Sequence, residues 1–230
     1  MTKATPMIFN TEMVRALLTG NKTQTRRPVA DWQLPKDTDP QGEYNSLKYM
    51  SVAQRGKYGY GLFGSTAEKA MNNYNDEYNC ENPFGRIGSL IYVRETFTKA
   101  YVNCWSAPKV INPNEKEEAA FFKAGWDRSH PTWKPSIHMP RWASRLTLKI
   151  TNVRVERIQD ITKQDAEKKG FKLPPAKDQG FAIGARTNFI KAWQDIYTGS
   201  WSKNEWVWVI DFEVIHKNID LVLKEMKQVA

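Results

Sequence analysis

Apolar residues in this chain come in short bursts, and most bursts have a readable period. Val14, Leu17 and Leu18 recur at helical spacing behind Asn10 and Thr11, which predicts a capped helix through about Thr19, with Gly20 in the left-handed position that follows. Lys22-Thr-Gln-Thr-Arg-Arg27 alternates in polarity and contains β-branched threonines, so it predicts an extended segment running into Pro28. Ser89 to Phe97 alternates as a strand behind the turn signals Gly85 and Gly88, with Arg94 and Glu95 near its end. Arg145 to Ile150 and Val153 to Ile158 predict two strands separated by a bend at Thr151-Asn152.

The C-terminal third is equally patterned. Thr162 with Asp165 is a capping box for a helix ending at Gly170, and a second helix spans roughly Arg186 to Tyr197, with Phe189, Ile190, Trp193, Ile196 and Tyr197 on its core face. Trp206 to Val214 places Trp206, Trp208, Ile210, Phe212 and Val214 on one side of a core strand, and an amphipathic helix over Ile219 to Val229 closes the chain.

Two regions lack such a period. Residues 31–83 are rich in Gly, Asn, Tyr and charge and predict an insertion with a helix around Ala67 to Tyr74; Asn103 to Pro140 is loop-rich, with a short helix expected at Glu115 to Ala124. Short strands interleaved with isolated helices do not give the regular alternation of a doubly wound sheet. The expected class is mixed α+β: a small closed β-barrel with peripheral helices in one domain over 1–217, carrying the 31–83 insertion, and a C-terminal helix over 218–230.

Composition narrows the function classes. Within 230 residues, 40% hydrophobic content with nine Trp, nine Tyr and ten Phe supplies a core. The longest apolar runs, such as Val207 to Ile210, are too short to span a bilayer, and Glu12 and Arg15 interrupt the one run that resembles a leader, which predicts a cytoplasmic protein without a membrane partner. Cys80 and Cys104 form no CxxC pair, so neither a disulfide framework nor a metal site is suggested, and no cofactor is called for. A formal net charge of +9 favours an anionic partner.

The densest chemistry lies in Gly20 to Arg27, where one amine, two hydroxyls and two guanidiniums fall within eight residues. Guanidinium forks suit phosphate or carboxylate, and a desolvated lysine can act as a nucleophile or base. An exposed basic strand is the plain alternative. Trp133 to Arg145 combines two prolines, His138, two tryptophans and two arginines in a stretch too irregular for a helix, which suits a rigid cleft wall. Trp133 or Trp142 can stack a base, though buried tryptophans more often anchor cores. Arg141 and Arg145 suit phosphate contacts, and His138 is a candidate for proton exchange in a ribonuclease-like reaction; His130 and His216 carry less information. The tyrosines of the insertion, near Arg55 and Lys57, are further candidates for base stacking or for packing on the core.

On the Gly20-x-Lys22-x-x-Thr25-x-Arg27 run and the helix before it, the chain resembles the ASCH family of the PUA-like superfamily. Phe9 to Leu18, Tyr92-Val-Arg-Glu-Thr96, Trp133 to Arg145 and Trp206 to Phe212 extend the resemblance to a subgroup found in bacteria and phages, over most of the chain outside the insertion. The resemblance implies a PUA-like barrel whose cleft accepts RNA, DNA, a nucleotide or a modified nucleobase, in the host cytoplasm if phage-encoded. It also implies, as the alternative, a metal-independent hydrolase of N4-acylated cytidines or of RNA, with Lys22 and Thr25 catalytic. Thr23, Arg26, Arg27, Arg94, Trp133, His138, Arg141, Trp142 and Arg145 are then the expected ligand-binding set. The active small enzymes add a glutamate from the helix after the central strands, where this chain has Lys169. Glu167 projects from the other side of that helix, so Glu95 is the substitute acid, with a salt bridge to an arginine as its plain alternative. A third expectation is a phage or bacterial interaction protein that docks through the insertion and final helix.

Overall fold

The order of elements follows the periodic segments closely and fills the unpatterned ones with short strands. The computed structural model describes residues 4–55, 58–76, 82–128, 131–171 and 184–229. In chain order they form β1 (Ala4–Ile8), α1 (Thr11–Leu18), β2 (Gln24–Pro28), β3 (Lys36–Asp37), β4 (Tyr49–Arg55), β5 (Tyr58–Gly64) and α2 (Ala67–Asp76). There follow β6 (Leu90–Arg94), β7 (Phe97–Tyr101), β8 (Lys109–Ile111), β9 (Glu118–Phe122), β10 (Thr147–Arg157), α3 (Lys163–Lys168), α4 (Ala185–Ile196), β11 (Trp206–Ile215) and α5 (Ile219–Val229). The class is mixed α+β, and no described helix is long and apolar enough to cross a membrane.

The main sheet has the order β1-β6-β10-β11-β2, with β1 parallel to β6 and the pairs β6 to β10 and β11 to β2 antiparallel. β1 and β2 stand at its two ends, so no closed barrel is seen among the described residues. The chain divides into two compact units, Met1–Thr23 with Gly88–Ile150 and Phe212–Ala230, and Gln24–Ile87 with Thr151–Asp211.

In the first unit, Asn10 caps α1 by accepting from the Met13 N–H at 2.8 Å, and Val14 and Leu17 are fully buried on the predicted stripe. Gly20 follows at φ +70°, where any other side chain would be strained. Phe97, Ala120, Phe122, Met139 and Ala143 make one core cluster, and α5 closes another by packing Ile219 and Val222 on Leu90. The helix expected over Glu115 to Ala124 is instead β9, paired with β7 and β8. Ala119 to Phe122 are all buried, and a short run that is apolar throughout has no period to separate helix from strand.

In the second unit, α3 has the expected capping box between Thr162 and Asp165. Ile158, Ile161 and Ala166 pack with Phe189 and Trp193 of α4 and with Val207 and Val209. Ile196, expected in that core, is 51% exposed at the end of α4. β11 is buried on both faces from Trp206 to Ile210, which is why its sequence is apolar at every position rather than alternating. No bend interrupts β10 at Thr151-Asn152; the two expected strands are one of 11 residues.

The insertion falls in this second unit, and its described residues are folded. β3, β4 and β5 form a three-stranded antiparallel sheet, covered on one side by α2 through the buried Ala70, Met71 and Tyr74. α2 occupies the predicted stretch and T-stacks Tyr74 on Trp208 at 5.1 Å. It also carries Asn75, whose side-chain amide donates to the Val155 carbonyl at 3.1 Å and accepts from the Val155 N–H at 2.7 Å.

Candidate functional site

The segment singled out in the sequence is buried, not an exposed basic turn. Lys22, Gln24, Thr25 and Arg26 are each at most 2% exposed, while Thr23 is exposed and Arg27 half-buried. Charged residues are rarely buried to this degree unless paired. Gln24 to Pro28 form β2, so successive side chains alternate between faces: Gln24 and Arg26 share one face, Thr25 and Arg27 the other. The strand therefore separates residues that the sequence reading had grouped.

On the Arg26 face of the second unit, six side chains close a ring. The Arg26 guanidinium, with no exposed side-chain surface, donates to Gln24 Oε1 at 2.6 Å, Glu156 Oε2 at 2.9 Å and Asp165 Oδ2 at 3.3 Å. Arg154 donates to Glu156 and, at 2.6 Å, to Asp211 Oδ2. The Gln24 amide then donates to Asp211 Oδ1 at 2.9 Å and to Asp165 Oδ1 at 3.0 Å, which completes the circuit. Burial pushes the Asp165 carboxyl up, but the bonds from Gln24 and Thr162 and the charge of Arg26 outweigh it and hold the group at about 2. Burial works against the charge on Arg154, and its bonds and charge pairing with Glu156 and Asp211 outweigh it, raising its pKa.

Three carboxylates against two guanidiniums leave this ring one negative charge, not a surplus of positive charge. Glu156 and Asp211 keep 22% of their side chains exposed, so the accessible chemistry is hydrogen-bond acceptance. The Arg26 Nε atom is buried without a partner, as expected where a strand fixes the arginine stem and the ring claims both terminal nitrogens.

The first unit holds the other candidates. Arg94 donates through Nε to the Met139 carbonyl at 3.0 Å and through its terminal nitrogen to the Ile137 carbonyl, pinning the irregular Trp133 to Arg145 segment. Glu95 is 1% exposed, and both its oxygens accept from Arg145, at 2.9 and 2.8 Å. Burial raises its pKa, and the Arg145 contacts only partly offset the shift. Arg145 also donates to the Ala124 carbonyl and lies 4.2 Å above the Phe122 ring. Arg141 pairs with Asp220 at 2.8 Å over Tyr92, Trp142 lies under the Lys99 amine, Trp133 packs edge-on to Trp126, and His138 is exposed. An open surface cavity of about 520 Å³ lined by Lys99, Tyr101 and Glu115 to Glu118 contains none of the candidate residues.

Lys169 does not stand in for an acid. It ends α3, 7% exposed, with its amine 4.0 Å from the Phe189 ring centroid and 5.4 Å from that of Trp193. His130, Lys57, Tyr78 and Cys80 lie outside the described residues, and Cys104 is an exposed thiol.

Sequence reasoning missed Gln24, Arg154, Glu156 and Asp211, and saw Asp165 only as a helix cap. The available signals were two: charges two apart at 154 and 156 alternating with Val153 and Val155, and a lone aspartate closing the apolar run of β11. Comparison with known proteins finds no matching family model, no similar curated protein and no similar solved structure.

Proposed function

We propose that this protein binds a nucleobase or nucleotide, free or within an RNA or DNA strand, and that it recognises hydrogen-bond donors on the base edge through the ring of Gln24, Arg26, Arg154, Glu156, Asp165 and Asp211. The closed ring built on Arg26 is the observation that supports this reading. Its guanidiniums are committed to carboxylates, so they have little left for phosphate; its partly exposed Glu156 and Asp211 are acceptors of the kind that pair with an exocyclic amino group. The net charge of +9 supplies the long-range attraction for an anionic ligand. The ASCH resemblance, and with it a PUA-like barrel, belongs to the same proposal.

Calorimetric titration with cytidine, adenosine and uridine monophosphates, and with single-stranded RNA and DNA, tests it. Glu156→Gln and Asp211→Asn are expected to weaken the cytidine and adenosine ligands by about tenfold and to weaken uridine less, since its base edge offers the N3–H but no amino group. Folded variants that bind the cytidine and adenosine ligands as tightly as the wild type does would overturn the reading.

One observation favours a hydrolase as the second reading: Lys22 is 2% exposed, and a lysine withdrawn from water can act as a nucleophile or base. Incubation with N4-acetylcytidine and with labelled single-stranded RNA should then release product that Lys22→Ala does not. Intact substrates after long incubation would remove this reading and leave the binding proposal standing.

A further inference from the structure

In the small sheet ordered β3-β4-β5, the last strand has a neighbour on one side only among the described residues. Two bonds show which of its backbone groups face outward. The Lys48 carbonyl accepts from the Thr38 N–H at 2.7 Å on the β3 side, and the Val52 carbonyl accepts from the Tyr74 hydroxyl. Even-numbered residues of β4 therefore point away from β5, and Ser51 and Ala53 bond with their register partners Leu62 and Tyr60. Gly59, Gly61 and Phe63 must then turn their N–H and C=O groups outward. The Phe63 carbonyl does accept from Asn73 Nδ2 at 2.7 Å, which agrees with this and leaves its second lone pair available.

Tyr58-Gly-Tyr-Gly-Leu-Phe-Gly64 carries none of the charges or prolines that usually guard a free edge. Phe63 is 41% exposed on it. Its glycines are also unequal. A Cβ at Gly64 would lie 2.5 Å from the Ala70 backbone nitrogen, so packing within the chain requires glycine there, while one at Gly61 would meet only the ends of the Phe63 and Met50 side chains, at 2.7 and 2.8 Å, which can shift. At Gly59 the nearest atoms would be 3.7 Å away and φ is not positive, so nothing within the chain calls for glycine there.

We propose that β5 is a homodimerisation edge, pairing antiparallel with β5 of a second copy about a two-fold axis at Gly61. This register sets residue 59 of each copy opposite residue 63 of the other, so that each exposed Phe63, whose ring leans over Gly61 of its own strand, turns onto the other copy's open Gly59, the arrangement by which an aromatic compensates a glycine across strands. The outward groups of 59, 61 and 63 meet their own counterparts, and no like charges face each other. Because the axis is normal to the sheet, the pairing is closed and gives one continuous six-stranded sheet with both copies of α2 on the same side.

Sedimentation of the full chain across a concentration series is expected to show a monomer to dimer equilibrium. Gly59→Pro removes an outward N–H that β4 does not use, and Phe63→Lys places charge on the edge; each should raise the dimer dissociation constant at least about tenfold at an unchanged monomer melting temperature. Hydrogen exchange on the unaltered protein gives a readout independent of any variant. The amides of Gly59, Gly61 and Phe63 should slow about tenfold or more between dilute and concentrated samples. A strict monomer at all concentrations, a dimer undiminished in both variants, or a dimer that leaves those amides unprotected would each overturn the proposal.

Discussion

The Trp133 to Arg145 wall and the ring around Arg26 both rest on buried or partly buried arginines, yet they use them in opposite ways. In the wall, Arg94 bonds to two backbone carbonyls, and Arg145 to a single carboxylate and a carbonyl. That segment has almost no ladder of its own, so its carbonyls need donors from elsewhere, and arginine forks supply them. In the ring, each carboxylate accepts from at least two side chains: Glu156 from both arginines, Asp211 from Arg154 and Gln24, and Asp165 from Gln24, Arg26 and Thr162. A strut with one partner is structural and fails when cut. A ring with shared partners tolerates the loss of one bond and can offer an acceptor to a ligand without collapsing.

Glu95→Ala should break the wall hardest, because it leaves the Arg145 charge without the one carboxylate partner it has among the described residues, in a side chain that is 14% exposed. A loss of about 3–5 kcal/mol in chemical denaturation is expected. A loss below about 1 kcal/mol would mean that the wall shares its charges as the ring does.

Asp165→Asn should cost less, on the order of 2 kcal/mol, which is the value of a carboxyl held at about 2 against an ordinary 3.8. The sign follows from the depressed value: this stabilisation is complete above the ordinary carboxyl range and is lost as pH falls from about 4 towards 2. Acid titration of stability in the wild type should show that limb, and Asp165→Asn should lack it; an unchanged acid limb would deny the ring its ionised member.

The smallest effect belongs to Arg141→Ala. Its pair with Asp220 is 38% and 56% exposed, and removing it should change stability by under about 1 kcal/mol and respond to salt. A larger, salt-independent loss would place Arg141 among the struts with Arg94 and Arg145.

Where local chemistry decided the structure, the sequence was legible. The Asn10 cap, the Thr162 and Asp165 box and the period of the final helix appear where the pattern put them, because capping and amphipathicity act over a few residues. β1, β3, β4, β5, β7, β8 and β9 were not foreseen. Strands of two to seven residues owe their existence to the strands they pair with more than to any period of their own, and in Tyr58 to Gly64 the alternation is of aromatic and glycine, which a hydrophobic count does not register. The candidate site divided along the same line. The density of cations at 22 to 27 marked the right segment, but its partners at 154, 156, 165 and 211 come from three other elements, and no spacing rule links them.

Asn75 has a bearing on how this chain tolerates shortening. One carboxamide fills both backbone valences of Val155, standing in for a strand that the sheet does not possess at that point. Excising 31–83 would therefore do more than trim an appendage: it would strip a buried valine of the N–H and C=O partners that complete its ladder and uncover the indole of Trp208. The segment that looks most dispensable in the sequence is, at this one amide, a missing strand of the fold.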